Sequence, residues 1–295
     1  MRVPHLLLGL ALSGAACSAG DGPAAATERH ASTANMVRYR VDLDPDEHAL
    51  GGSEPLVTVV VFSDYACPPC ARTWKVLDHL IEDYGEDLRV VFRSQTLPGF
   101  ADGERAAEAA LAAGAQGKFW DMHRRLYAEM KFDRAALKAD AEAIGLDVPR
   151  FLDDLDAGVF AGTRIRHRRE ALELGIYFSP VAFVNGIQVI GFRDEAAWHA
   201  LIDEEIVQAR ARLREGTPRA GLSAAILAAA IKAPIEVDEK TEAQRRMLAE
   251  RFKAADTAPP RPTEENKRYA VDAGDAPTLG PADAPVLLVV FMDFE

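Results

Sequence analysis

Residues 67–70 read Cys-Pro-Pro-Cys. Two cysteines separated by two residues can cycle between dithiol and disulfide, or they can supply half of a metal site. A nucleophilic cysteine has to be a thiolate, and a free thiol is mostly protonated at neutral pH. The chain has three cysteines, Cys17, Cys67 and Cys70, so no second close pair exists to complete a four-cysteine zinc site. His79, His123, His167 and His199 remain as other candidate ligands, but the sequence assigns them no metal, and redox chemistry is the better reading of the pair.

The surrounding pattern favours the thiolate. Val57–Phe62 is a continuous apolar, β-branched run suited to a central strand buried on both faces. From Ala71 the apolar positions Trp74, Leu77, Leu80 and Ile81 recur at helical spacing, and Gly85 suits the helix end. Leu88–Phe92 reads as a parallel strand, completing a βαβ unit. Cys67 therefore falls at the first turn of a helix, where unpaired N–H groups and the helix dipole favour an anion. Pro68 and Pro69 suit that turn, because a missing N–H is no loss there. Cys70, one turn on, is placed to resolve a mixed disulfide into an intramolecular Cys67–Cys70 bond. Asp64 has two readings: a proton acceptor beneath the pair, or a hydrogen-bonding residue at the start of the helix.

Residues 102–175 read as helical throughout, with stretches at Glu104–Ala115, at 118–130, from an Asp133 cap to Gly145, and over Ala161–Leu174. Phe119, Trp120 and His123 read as packed residues, and Arg164, Arg166, Arg168 and Arg169 as a solvated helix face. Val181–Ile190, with Asn185-Gly186 at its centre, is a hairpin, and a helix runs from Asp194 to Arg214.

The amino terminus has the pattern of an export signal: Arg2, an apolar core over Leu6–Leu12, then small residues leading to Cys17. It resembles a bacterial lipoprotein signal, which implies that Cys17 is acylated and anchors the chain to a membrane. Residues 17–36 then read as a flexible tether. An exported chain whose only remaining cysteines form one C-x-x-C uses them for chemistry. The formal charge of −12 argues against a nucleic-acid partner, since phosphate binding needs a basic surface.

Phe62–Cys70 resembles the active-site segment of the DsbA-like branch of the thioredoxin superfamily. Lys118–His123 resembles a helix of that branch, and Ser179–Gly186 its cis-proline loop. The resemblance covers residues 37–212 and implies an α/β thioredoxin fold with an inserted helical domain. It implies that Pro180 is cis and faces the cysteines, with the Ser179 backbone free to pair with a substrate strand. The implied activity is thiol:disulfide exchange with exported proteins, needing no cofactor and served by a membrane or periplasmic redox partner. Strongly oxidising members carry a His between the cysteines; two prolines here imply a less oxidising pair. A redox-dependent interaction module is the second reading.

Gly51–Ala66 aligns without gaps on Gly280–Glu295: Val57, Val60, Val61, Phe62 and Asp64 recur as Val286, Val289, Val290, Phe291 and Asp293. The sequence thus divides into a signal (1–16), the tether (17–36), the thioredoxin-like domain (37–215, with its helical insert at 102–175), connecting helices over Ala220–Ala233 and Glu239–Ala255 with a Pro-rich linker (216–266), and the start of a second, truncated unit (267–295). Deleting residues 256–295 is expected to leave thiol–disulfide exchange intact. Loss of folding or activity, measured by thermal melting and disulfide reduction, would make that segment a working part of the first unit.

Overall fold

The computed structural model describes residues 33–43, 47–96 and 101–256. The signal, Cys17, residues 17–32 of the tether and the 267–295 repeat lie outside the described residues.

The β-branched run forms a strand in which every residue is buried, Val57–Ser63 (β2). It pairs in parallel with Leu88–Ser94 (β3), which pairs antiparallel with a short edge strand, Ala49–Gly51 (β1). On the other side of β2 lies Val181–Val184 (β4), followed by Ile187–Ile190 (β5), so the sheet order is β1-β3-β2-β4-β5. The hairpin turn is the one its sequence dictates. Asn185 and Gly186 have φ values of 46° and 86°, the left-handed region that Asn-Gly occupies most readily. A Cβ at Gly186 would also meet the Tyr39 carbonyl oxygen at 2.8 Å.

Helix Pro68–Tyr84 (α1) packs Trp74, Leu77 and Leu80 against one face of the sheet, in a core shared with Val57, Val59, Val61, Val90 and Phe92. The expected helical block is five helices: Ala101–Gly114 (α2), Phe119–Glu129 (α3), Arg134–Ala143 (α4), Val148–Ala157 (α5) and Ala161–Glu173 (α6). The sequence reading did not single out α5, which is started by an Asp147 cap on the Arg150 N–H and a proline in its first turn. Helix Glu195–Arg214 (α7), capped by Asp194, closes the order read from the sequence.

Two expectations are corrected. Arg164 and Arg168 are buried rather than solvated. Arg164 pairs with Glu108 at 3.0 Å and Glu104 at 3.3 Å, and Arg168 approaches Glu104 at 3.8 Å. Both pairs of like charges are spaced i, i+4, so an acidic stripe on α2 meets a basic stripe on α6. Only Arg166 and Arg169 are exposed. A connecting helix was expected over Ala220–Ala233; helix forms only at Leu222–Ile226 (α8). The chain beyond it instead bonds to the domain: Ile231 exchanges backbone hydrogen bonds with Arg38 and Arg40, and the Ile235 N–H donates to Leu174. Ile235 is buried against Tyr39, Val60 and Phe183 on the second face of the sheet. The last described helix, Glu239–Asp256 (α9), sets Phe252 edge-on to Tyr177.

A buried polar knot holds the hairpin to the rest. The Asn185 side chain accepts from the Thr58 N–H and donates to the Leu56 carbonyl and Glu205. Arg38 donates to both Glu205 oxygens at 2.9 Å, and Glu205 is fully buried. Replacing Glu205 with Ala strands a buried amide and a largely covered guanidinium. It should cost about 3–5 kcal/mol of unfolding free energy, read from urea melts. A loss below about 1 kcal/mol, the worth of a surface pair, would show the knot to be incidental.

Candidate active site

Cys67 is the N-cap of α1, with extended backbone angles (φ −107°, ψ 110°). Its N–H donates to the Asp64 carbonyl at 3.2 Å, and its own carbonyl accepts from Cys70 and Ala71 at 2.9 and 3.1 Å. Pro68 and Pro69 take the first helical positions, where no backbone donor is needed. One turn of helix thus separates the two sulfurs, and both are free thiols.

Their surroundings differ. Cys67 is half-buried, whereas Cys70 is fully buried under the helix. A hydrogen bond from the Cys70 side chain lowers the Cys67 thiol to about 7, with help from the Cys70 backbone N–H and Ser179 and against partial burial and the Asp64 charge. Burial pushes the Cys70 thiol far up, and its hydrogen bond to Cys67 adds to the rise. One sulfur is therefore held near its titration point at neutral pH and the other is held as a thiol.

Sheet register brings the second loop to the pair. Phe62 of β2 lies opposite Val181 of β4, so the residues before Val181 emerge beside those after Ser63. The Ser179–Pro180 peptide is cis, as the resemblance implies. The Cys67 thiol donates to the Ser179 carbonyl at 3.7 Å. Arg72, two residues after Cys70, stacks over Phe192 at 4.6 Å and ties α1 to the loop after β5.

Asp64 is buried, and its Oδ1 accepts the Ala66 N–H at 2.9 Å, closing the turn before Cys67. Gly103 of α2 packs so close that a Cβ there would stand 2.4 Å from that oxygen. The described geometry thus supplies the structural one of its two readings. Among the described residues, no group of three ligand-type side chains includes either cysteine.

The sequence reading missed the aromatic support under the turn. The Tyr65 hydroxyl meets His123 Nδ1 at 2.8 Å, and the Tyr127 hydroxyl meets Ser63 Oγ at 2.7 Å. His123 is packed among Trp74, Phe92, Phe119 and Trp120, and burial drives its imidazole well below the usual range, so it is neutral. The spacing of His123 and Tyr127 on one face of α3, with Tyr65 beside the cysteines, is the signal that could have found them.

The thiol asymmetry has a pH signature. Because the folded state lowers the Cys67 pKa from its ordinary 9.0 to about 7, the reduced protein binds fewer protons than its unfolded chain between those values. Its stability should rise with pH from about 7 to 9, and the gain should be lost as pH falls through 7. The oxidised protein should lack this slope. Alkylation of the reduced protein should follow an apparent pKa near 7 at Cys67 and be slow at Cys70; equal rates would contradict the assignment.

The Thioredoxin family profile matches residues 43–204, more than half of the chain. The chain is 35% identical over 185 residues to a Na(+)/H(+) antiporter NhaA 3 from Salinispora tropica, covering 61% of this chain and 28% of that protein. It therefore spans little more than a quarter of that relative. Among solved structures, BdbD from Bacillus subtilis superposes with a TM-score of 0.53 at 21% identity, over 58% of this chain and 98% of that one. The thiol-disulfide exchange protein alpha-DsbA2 from Wolbachia pipientis gives 0.50 at 23%, over 55% and 88%. With a matched span that takes in Cys67, Cys70, Ser179 and Pro180, the chain belongs to the thioredoxin family and has the DsbA-like form of its fold, with a helical block between β3 and β4.

Proposed function

We propose that this chain is an exported thiol:disulfide oxidoreductase acting on exported proteins through Cys67 and Cys70. The observation that carries the reading is the unequal pair: an accessible sulfur titrating at about 7 and a buried neighbour held as a thiol. In the reductive direction, the Cys67 thiolate attacks one sulfur of a substrate disulfide. An S–S bond forms between Cys67 and substrate, and the displaced substrate thiolate takes a proton. Cys70 then gives up its proton and attacks Cys67 Sγ. The mixed disulfide breaks, the second substrate sulfur leaves as a thiolate, and the Cys67–Cys70 bond holds the two electrons' worth of oxidation. Run backwards, the same steps oxidise a substrate dithiol, and the membrane or periplasmic redox partner sets the net direction.

Each remaining residue has a place in this reading. The Ser179–Pro180 loop holds the substrate chain beside Cys67, and Asp64, whose charge acts on the Cys67 sulfur, takes the Cys70 proton. Export and a lipid anchor at Cys17 would put the pair where protein disulfides form. Na(+)/H(+) exchange is not proposed, because the likeness to the antiporters covers only 28% of the first of them. Among the described residues no helix is long and apolar enough to cross a membrane.

Cys70→Ala should accumulate mixed disulfides with exported proteins, since attack proceeds and resolution does not, while Cys67→Ala should trap far fewer. Non-reducing gels and mass spectrometry read the adducts, and an insulin-reduction assay reads turnover. If neither variant traps adducts and the parent reduces no insulin, a redox-dependent interaction module becomes the better reading.

A further inference from the structure

The far half of α1 and the start of α7 carry two matching pairs of side chains, each spaced i, i+4: His79 and Asp83 on α1, Glu195 and His199 on α7. The ligand atoms of Asp83, Glu195 and His199 all lie within 4.8 Å of one another. His199 Nε2 is 3.4 Å from Asp83 and 4.0 Å from Glu195, and His79 Nδ1 is 3.7 Å from the other Glu195 oxygen. We propose that Asp83, Glu195 and His199 form a divalent transition-metal site, best suited to zinc, that clamps α1 to α7, with His79 beside Glu195 as the fourth donor drawn in when the ion binds.

The spacing is the first argument. A charge-assisted hydrogen bond closes to about 2.7–2.9 Å, and all three contacts are longer. A tetrahedral zinc ion with bonds of about 2.0–2.1 Å holds its ligand atoms roughly 3.3–3.4 Å apart. The His199–Asp83 separation of 3.4 Å equals that edge, while the contacts to Glu195 at 3.7 and 4.0 Å are wider. Two imidazole nitrogens and two carboxylate oxygens are a donor set that zinc accepts.

The outer contacts of His199 are the second argument. The Tyr84 hydroxyl donates its one proton to Asp203 at 2.7 Å, since a carboxylate only accepts. The same hydroxyl lies 2.8 Å from His199 Nδ1, so Nδ1 is the donor there. That leaves Nε2 as the atom facing Asp83 and Glu195. An imidazole nitrogen facing two carboxylates is an arrangement that a bound cation completes. A histidine whose inner nitrogen is fixed by an acceptor and whose outer nitrogen points at carboxylates has the tautomer and orientation that metal-bound histidines have.

The position separates this site from the redox centre. His79 and Asp83 lie roughly 14–20 Å beyond Cys70 along α1, at about 1.5 Å per residue. A metal there would stabilise the helix that presents the cysteines without touching either sulfur.

The test uses the full chain with Cys67 and Cys70 oxidised to the disulfide and any other thiol alkylated, so that sulfur cannot bind the metal. Calorimetric titration with zinc chloride should find about one equivalent bound, with a rise in Tm that EDTA reverses. His199→Ala and Glu195→Gln should each weaken binding at least ~10-fold, and Tyr84→Phe should weaken it less while leaving the four ligands in place. Independently of any variant, zinc should shift the ring resonances of His79 and His199 and leave those of the buried His123 and His167 in place. No saturable binding, unchanged affinity in His199→Ala, or zinc-induced shifts confined to other histidines would each overturn the proposal. Failure of disulfide exchange would not bear on it, because the titration is made on the oxidised chain.

Discussion

A strand buried on both faces cannot stand alone, and the rest of this molecule follows from covering β2. All seven of its residues are buried. One face is closed by α1 and helices α2–α5, the other by α6, the Tyr39 segment and Ile235. Because α1 must pack on the strand it leaves, the turn between them is short, and Cys67 is fixed as the N-cap of the helix. The pairing partner β4 is fixed in the same way by β2, and the loop before it arrives at the cysteines by register rather than by any attraction to them. The site is a by-product of covering one strand, which is why its geometry can be rigid while its sulfurs stay reactive.

Covering that strand also buries polar groups, and each has to be matched. Arg93, near the end of the parallel pair, is nearly inaccessible and is met by Glu47, Glu170 and the Asp42 carbonyl. The α2–α6 contact matches Glu104 and Glu108 with Arg164 and Arg168. The hairpin is secured by Asn185, Glu205 and Arg38. Such pairs add little net stability compared with apolar packing of the same shape, yet removing one partner is costly. Their effect is to forbid alternative dockings of the helical block and hairpin, which keeps the Ser179 loop beside Cys67.

Strands β2 and β3, the α1 helix and the Asn-Gly hairpin were legible in the sequence because each follows a local rule: β-branched runs, helical spacing of Trp74, Leu77 and Leu80, and a turn dipeptide. The place of Cys67 at the helix start was legible for the same reason, since a helix start is a local feature. What stayed hidden depends on contacts between distant segments. Three-residue β1 has too few positions for an alternating pattern and exists only because β3 offers an edge. The buried arginines of α6 look like a solvated face until α2 supplies their carboxylates. The helix expected over Ala220–Ala233 is good helix-forming sequence. It stops at Ile226 because Ile231 and Ile235 gain backbone and core partners on the domain, a tertiary gain that outweighs local propensity. The Tyr65–His123 and Tyr127–Ser63 contacts join residues about sixty positions apart, beyond the reach of any local pattern.

The two prolines between the cysteines bear on what kind of exchange this site favours. A donor side chain between the cysteines would add to the thiolate's stabilisation, and a strongly stabilised thiolate makes its disulfide a strong oxidant. Pro68 and Pro69 offer no donor, neither from a side chain nor from the backbone. The Cys67 sulfur is left with Cys70, the Cys70 N–H and Ser179, opposed by partial burial and by Asp64. The balance falls at about 7 rather than far below it. Thiolate fraction rises as pKa falls, but the nucleophilicity of each thiolate declines, so attack is fastest when the pKa is near the ambient pH. A sulfur tuned there attacks disulfides efficiently at neutral pH and is only a moderate leaving group. On the proposed function, the Cys-Pro-Pro-Cys turn suits exchange in either direction, with the partner that resets the pair deciding which one dominates.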